Sequence, residues 1–252
     1  MHGIRYAVDG PLALVSIDRP EVLNALTPEG YAALQGALDR FDADPERRVA
    51  ILTGAGGRAF CVGSDLRVSA GKGDDEPAIV TEDEPPPLLG KPLIAAIDGY
   101  CLGGGLEWAL RADLRVATPR SSFGLPEPRT GSIAGYGLHV LSRLVPPGEA
   151  LYLQLTGMRI DAARAHRIGL VQEVVAPEDL LARARELAGE ILRCSPDAVR
   201  AVKATVDAEI RRDLDRSYAA VRPVAERMAT SHDAREGPRA FVEKRPPRWT
   251  GA

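Results

Sequence analysis

Cysteine is scarce in this sequence: Cys61, Cys101 and Cys194 are the only three in 252 residues, and none forms a CxxC pair. An odd count without paired spacing excludes a disulfide scaffold and points to a reducing compartment. Long apolar runs are also missing; none approaches the ~20 residues that a membrane-spanning helix requires. The opening MHGIRYAVDGPLALV lacks the basic-then-apolar order of a secretion signal, so a cytoplasmic location is expected. Neither sign of charge dominates. Lys and Arg number 32 against 35 Asp and Glu, a net charge of −3, which gives no global attraction to nucleic acid or an anionic membrane. His2, His139, His166 and His232 fall at no metal-binding spacing, so no metal is expected. His139 and His166 read as helix-surface or satisfied core residues. GSIAG at 131–135 holds its serine in the wrong place for a GxSxG nucleophile elbow, and no internal repeat is evident.

What is present is a mixed pattern. IRYAV and LALVSI flank Asp9-Gly10, a hairpin signal. NALTPEGYAALQGALDRFDADP reads as a helix with Thr27 as its cap, Pro28 in the first position and Asp44-Pro45 at its end. RVAILTG and KPLIAAIDG are short apolar runs closed by glycine, as buried strands are. LEWALRA looks helical; DLRVATP and SSFGLPE look extended. Further on, Leu180, Leu181, Ala184, Leu187, Ala188 and Ile191 form one stripe at helical spacing. A helix starting at Ser195-Pro196 runs towards Met228, and another covers Asp233 to Val242. The whole reads as a mixed body of about 175 residues followed by a helical tail. Residues 71–90 stand apart, with six acids, one lysine and four prolines. They read as a solvated loop or as a lid beside a binding site.

The segment GYCLGGGLEWAL, 99–110, carries the sharpest question. Three consecutive glycines let a backbone come into contact with a ligand, and a helix that starts there offers free N–H groups. Aimed at an oxygen that gains negative charge, such donors form an oxyanion hole. Tight helix–strand packing accounts for the glycines equally well. Glu107 comes next within the same helix, and Glu127 lies just after Pro126 in a second glycine- and proline-punctuated stretch, SSFGLPEPRTGSIAGYG. Two carboxylates near turns in apolar surroundings suit paired acid–base work. AFCVGSDL, with Gly63 before Ser64 and Asp65, offers a second main-chain donor. A competing pattern is Gly54-x-Gly56-x-x-Ala59 after a strand, a loose dinucleotide fingerprint of an NAD-binding oxidoreductase. The adjoining segment, FCVGSDL, has no helical period to present to a pyrophosphate.

Taken in order, RPEVLNALTPE, AILTGAGGRAFCVGSDL, KPLIAAIDGYCLGGGLEWALRADLRVAT, FGLPEPRTGSIAGYG, LTGMRIDAARAHRIGLVQEVV and AFVEKR resemble the crotonase superfamily, most closely its enoyl-coenzyme A hydratases. The resemblance implies an α/β fold: a crotonase-like spiral of ββα units over residues 1–195, then a C-terminal helical oligomerisation region over 196–252. It implies a homotrimer, or a hexamer of paired trimers. It also implies an acyl-CoA thioester substrate and no separate cofactor, coenzyme A entering as part of the substrate. The main-chain N–H groups of Ser64 and Gly104 would hold the thioester oxygen. Glu107 would handle the water that adds to Cβ, and Glu127 the proton at Cα, in a reversible syn hydration of a 2-trans-enoyl thioester. Val62, Asp65, Gly103 and Gly135 fall within the matched substrate-binding segments. Arg67 stands where relatives set a basic residue against the coenzyme, and Lys244 where one reaches a neighbouring subunit's ligand. Trp108 and Tyr136 depart from the family pattern and read either as core or as walls of the acyl pocket. Within the resemblance, an isomerase, a specialised dehydratase and a non-catalytic acyl-CoA-binding protein are the other readings.

Overall fold

A computed structural model describes residues 2–71 and 84–251. β1 (Ile4–Asp9) and β2 (Leu12–Ile17) pair antiparallel across a two-residue turn, Gly10-Pro11, one position later than the Asp9-Gly10 signal. α1 (Pro28–Ala43) begins at the expected cap, where the Thr27 hydroxyl accepts the Gly30 N–H. From there the chain repeats a strand–strand–helix unit. β3 (Val49–Gly54), β4 (Ala59–Cys61) and α2 (Leu66–Ala70) make the first turn. β5 (Leu93–Ile97), β6 (Tyr100–Leu102) and α3 (Gly104–Leu110) make the second. β7 (Leu114–Ala117) and β8 (Ser122–Gly124) lead through a 3-10 turn at Glu127–Thr130 into α4 (Tyr136–Leu144).

The first strand of each turn joins one sheet and the second strand joins another. With β9 at Ile160–Asp161 and β10 at Glu173–Val174, six strands lie in the order β1-β2-β3-β5-β7-β10, parallel from β2 onward, and four in the order β4-β6-β8-β9. The remaining elements are α5 (Pro147–Thr156), β9 (Ile160–Asp161), α6 (Ala162–Arg167), β10 (Glu173–Val174), α7 (Leu180–Arg193), α8 (Pro196–Ala229) and α9 (His232–Val242). This is a mixed α/β spiral closed by helices. Among the described residues no helix is long and apolar enough to cross a membrane.

Burial on both faces explains why the strands of the larger sheet read as unbroken apolar runs. Alternate residues Ala13, Val15, Ala50, Leu52, Leu93 and Ala95 pack with Leu34, Leu38 and Phe41 of α1. Their neighbours Val49, Ile51, Ile94, Ala96 and Val116 pack with Leu180, Ala184 and Ala188 of α7. Leu181, placed by its spacing in that stripe, is exposed instead, because one residue of helix turns a side chain about 100° from its neighbour. The dinucleotide reading also fails here. β3 runs through a turn into β4, so no helix stands after it to receive a phosphate. The acidic, proline-rich segment falls largely at 72–83, outside the described residues.

Candidate active site

The three consecutive glycines answer to three different neighbours. Gly103 caps α3 at φ 55° and ψ −134°, a conformation that L side chains rarely adopt. A Cβ at Gly104 would fall 2.2 Å from the Tyr31 hydroxyl, and one at Gly105 would fall 2.2 Å from the Cys61 carbonyl oxygen. The turn therefore packs directly on β4 and α1. Facing it is the turn after β4, where Gly63 has φ 84° and a Cβ would lie 2.8 Å from the Gly104 nitrogen. Leu26, just before α1, fixes this second turn. Its N–H donates to the Gly63 carbonyl at 2.8 Å, and its carbonyl accepts the Asp65 N–H at 2.9 Å. In such a parallel bridge the N–H of the residue between, Ser64, points away from the Leu26 segment.

These turns open onto a cavity of about 460 Å³. Of the residues singled out from the sequence, Val62, Ser64, Asp65, Gly103, Gly104, Glu107, Glu127 and Gly135 line it. Glu107 lies one turn into α3, and its Oε1 accepts the Gly137 N–H of α4 at 2.7 Å, which fixes the carboxylate against the cavity wall. Glu127 opens the 3-10 turn after β8. Its main-chain carbonyl accepts from the Ser132 N–H and the Thr130 hydroxyl, both at 3.0 Å. Its Oε1 sits 3.2 Å from the place a Gly103 Cβ would occupy, and its Oε2 is buried with no hydrogen-bond partner among the described residues. Burial disfavours the charged form and pushes this carboxyl up to about 7. A carboxyl so placed exchanges a proton near neutral pH.

Other candidates fall elsewhere. Trp108 and Tyr136 belong to the hydrophobic core and line no part of the cavity. Trp108 is one residue past Glu107 on α3, so the rotation that aims the carboxylate at the cavity turns the indole into the core. It packs there against Tyr31, with Arg111 over its ring at 4.3 Å. Burial raises the Tyr136 phenol to about 12. Arg67 is exposed and folds back onto Asp65, Nε to Oδ1 at 2.8 Å and Nη2 to Oδ2 at 2.6 Å. Asp65 in turn caps α2, and the Arg67 hydrogen bond holds its carboxyl below the usual range. Lys244 is exposed just beyond α9, away from the cavity lining.

The sequence pattern gave no role to several residues that do line the cavity: Tyr31 from α1, His139 from α4, and Tyr218 and Arg222 from α8. The His139 ring stacks on Tyr218 with centroids 3.9 Å apart, and its Nδ1 lies 2.7 Å from the Ser217 hydroxyl. Burial, with Arg143 nearby, lowers His139 to about 4, so the ring is neutral. His166 is exposed on α6.

Comparison with known proteins agrees with the fold. A family model described as enoyl-CoA hydratase/isomerase matches residues 8–252. The (E)-benzylidenesuccinyl-CoA hydratase of Thauera aromatica is 38% identical over 250 residues, covering 97% of this chain and 98% of that protein. The carnitinyl-CoA dehydratase of Salmonella arizonae is 37% identical over 260 residues, covering 98% of each. The solved structure of EchA1_1 from Mycobacterium paratuberculosis superposes with a TM-score of 0.88 at 35% identity, covering 100% of both chains. The family model, these relatives and the shared ββα spiral agree: the chain belongs to the enoyl-CoA hydratase/isomerase family of the crotonase superfamily.

Proposed function

We propose that the protein is a hydro-lyase that reversibly adds water to a 2-enoyl-CoA, giving the 3-hydroxyacyl-CoA. The observation that carries this reading is one cavity lined by the turns of Ser64 and Gly104, by Glu107, and by a Glu127 whose buried carboxyl oxygen has no partner among the described residues. Adding water across a conjugated thioester builds enolate charge on the carbonyl oxygen. The Ser64 and Gly104 N–H groups act as the oxyanion hole for that charge, held by the backbone and needing no rearrangement as the charge develops. Glu107, anchored on Gly137, orients the attacking water and takes its proton. Glu127, neutral below about pH 7, delivers the proton to Cα. In the reverse direction its carboxylate removes that proton.

The experiment is turnover of crotonyl-CoA and of longer, branched and aromatic enoyl-CoA thioesters by the wild type, Glu107→Gln and Glu127→Gln. Loss of at least ~100-fold in kcat in each variant is expected for a group acting on a transferred proton. Full hydratase activity in Glu127→Gln would refute its role. Hydration starts with one proton on Glu127 and dehydration with the same proton on Glu107, and the reaction itself takes up or releases none. kcat/KM therefore falls in both directions together as pH rises through about 7 and the pair loses that proton.

A specialised dehydratase or hydratase of a bulky acyl group is the second reading. It is favoured by the cavity wall of His139, Tyr218 and Arg222, an aromatic and polar surface that a short alkyl chain does not need. Turnover confined to aromatic, branched or polar acyl groups would select it. The same family reading carries a homotrimer or hexamer. Exposed Leu151, Leu155, Val202 and Val206 supply apolar surface for such contacts, and light scattering tests it.

A further inference from the structure

The two turns that flank the cavity meet a third group. Tyr31 stands on the first turn of α1, and its hydroxyl lies 3.1 Å from the Ser64 hydroxyl. The same oxygen fills the space that a side chain on Gly104 would require. One phenol therefore touches both residues whose amides flank the cavity, and it lines the cavity itself. Its position is fixed from behind. The Thr27 cap starts α1, the Leu26 bridge ties the helix entry to the Ser64 turn, and the ring stacks on Trp108 at 28° with centroids 6.4 Å apart.

The hydrogen-bonding capacity of this pair has room for a ligand. A phenol donates one hydrogen bond and accepts others, and a serine hydroxyl does the same. When the Ser64 hydroxyl donates to the phenol oxygen, the Tyr31 O–H is left to donate into the cavity. The group stays an O–H throughout. Burial raises its pKa far above the ordinary tyrosine value, and the carboxylates of Glu107 and Glu127 raise it further. It cannot serve as a base at any working pH, and it keeps its proton as a donor.

We propose that Tyr31 is a third hydrogen-bond donor to the substrate's thioester oxygen, acting beside the main-chain N–H groups of Ser64 and Gly104. This rests on the hydratase reading above and adds a side chain to a hole otherwise built from backbone. A side-chain donor can be removed by substitution while both amides stay in place.

The experiment compares wild type with Tyr31→Phe, which keeps the ring against Trp108. Two quantities are read: kcat and KM for crotonyl-CoA, and the pH at which bound acetoacetyl-CoA ionises to its ultraviolet-absorbing enolate. Loss of a donor to the developing charge lowers kcat roughly 10- to 100-fold with KM nearly constant. It raises the enolate midpoint by about one to two pH units, one unit for each tenfold of lost stabilisation. A residue that only packs against Ser64 would leave that midpoint in place. Equal kcat and equal midpoint in the two proteins overturn the proposal while leaving the hydratase reading intact. A wild type that neither hydrates crotonyl-CoA nor binds acetoacetyl-CoA overturns the hydratase reading, and this inference with it. Should the phenylalanine variant fail to fold, 3-fluorotyrosine at the position provides a stronger donor of nearly the same shape. It is expected to lower the midpoint, and an unmoved midpoint counts against the proposal.

Discussion

Replacing Glu127 by glutamine removes one ionisable group and changes almost no volume, so it isolates what burying that carboxyl costs the fold. The ordinary glutamate value of 4.5 rises to about 7 in the folded chain because burial penalises the charged form. Below pH 4.5 the residue is neutral in both folded and unfolded states, and its ionisation contributes nothing to stability. Between 4.5 and 7 the unfolded chain gives up its proton first, so stability falls as pH rises. Above 7 the folded protein carries a buried carboxylate, and the full penalty applies. A displacement of this size corresponds to about 2–4 kcal/mol, with water entering through the cavity mouth favouring the lower end.

Glu127→Gln is therefore expected to be more stable than the wild type at pH 8 by about 2–3 kcal/mol, with the advantage gone near pH 4.5. In a chain of this length that is a rise in Tm of roughly 4–10 °C at pH 8. Thermal or urea unfolding of both proteins, without ligand and at one protein concentration, reads the difference. Equal stability of the two at pH 8, or an advantage that does not shrink on acidification, would refute the burial argument. A variant more stable yet inactive also shows that the charge is retained for chemistry and not for the fold.

Gly104→Ala places a methyl group against the Tyr31 hydroxyl and is expected to abolish most activity. In a Tyr31→Phe background the nearest ring carbon is 3.2 Å from that methyl, so the two substitutions should couple by about 1 kcal/mol or more in a double-mutant cycle. Asn24, buried at φ 59°, accepts the Arg19 N–H and donates to the Ala55 and Ala59 carbonyls. Asn24→Ala strands those partners and should cost about 2–4 kcal/mol in urea unfolding. Thr27→Ala removes the cap of α1 and should cost ~1 kcal/mol. Glu236, held down to about 2 by Arg245 and by the Arg248 N–H, ties the chain end to α9. That contribution is present above the ordinary value and is lost as pH falls through about 2. Glu236→Gln should speed hydrogen exchange in residues 245–250 at neutral pH.

The larger sheet was legible because its strands are buried on both faces and so appear as apolar runs. α1 was legible because Thr27 and Pro28 mark its start. Of the smaller sheet only β8 showed, within SSFGLPE; its other strands are two or three residues long, too short for a period to appear. In the site, glycine turns and glutamates carry their own signal. Trp108 carried a misleading one: its departure from the family pattern drew attention to the pocket, whereas a helix of seven residues with one face on the cavity turns the next side chain into the core. Tyr31 was hidden for the opposite reason. A tyrosine within an amphipathic helix looks like ordinary packing, and only the approach of α1 to the Gly104 turn, a contact across 73 positions, brings its hydroxyl to the cavity.

That contact also resolves why a chain places three glycines in the middle of its core. Glycine is costly within a regular element because it has the most backbone freedom to lose on folding. Here each glycine is demanded by a separate partner: a left-handed φ at 103, the Tyr31 hydroxyl at 104 and the Cys61 carbonyl at 105. The partners belong to α1, to β4 and to the turn's own backbone, so no single adjustment relieves all three at once. The tripeptide with the greatest intrinsic freedom is thus among the most tightly constrained segments of the molecule. On the proposed hydratase reading, a donor held that way is already in place before charge develops on the thioester oxygen, and its orientation need not be established at the moment of reaction.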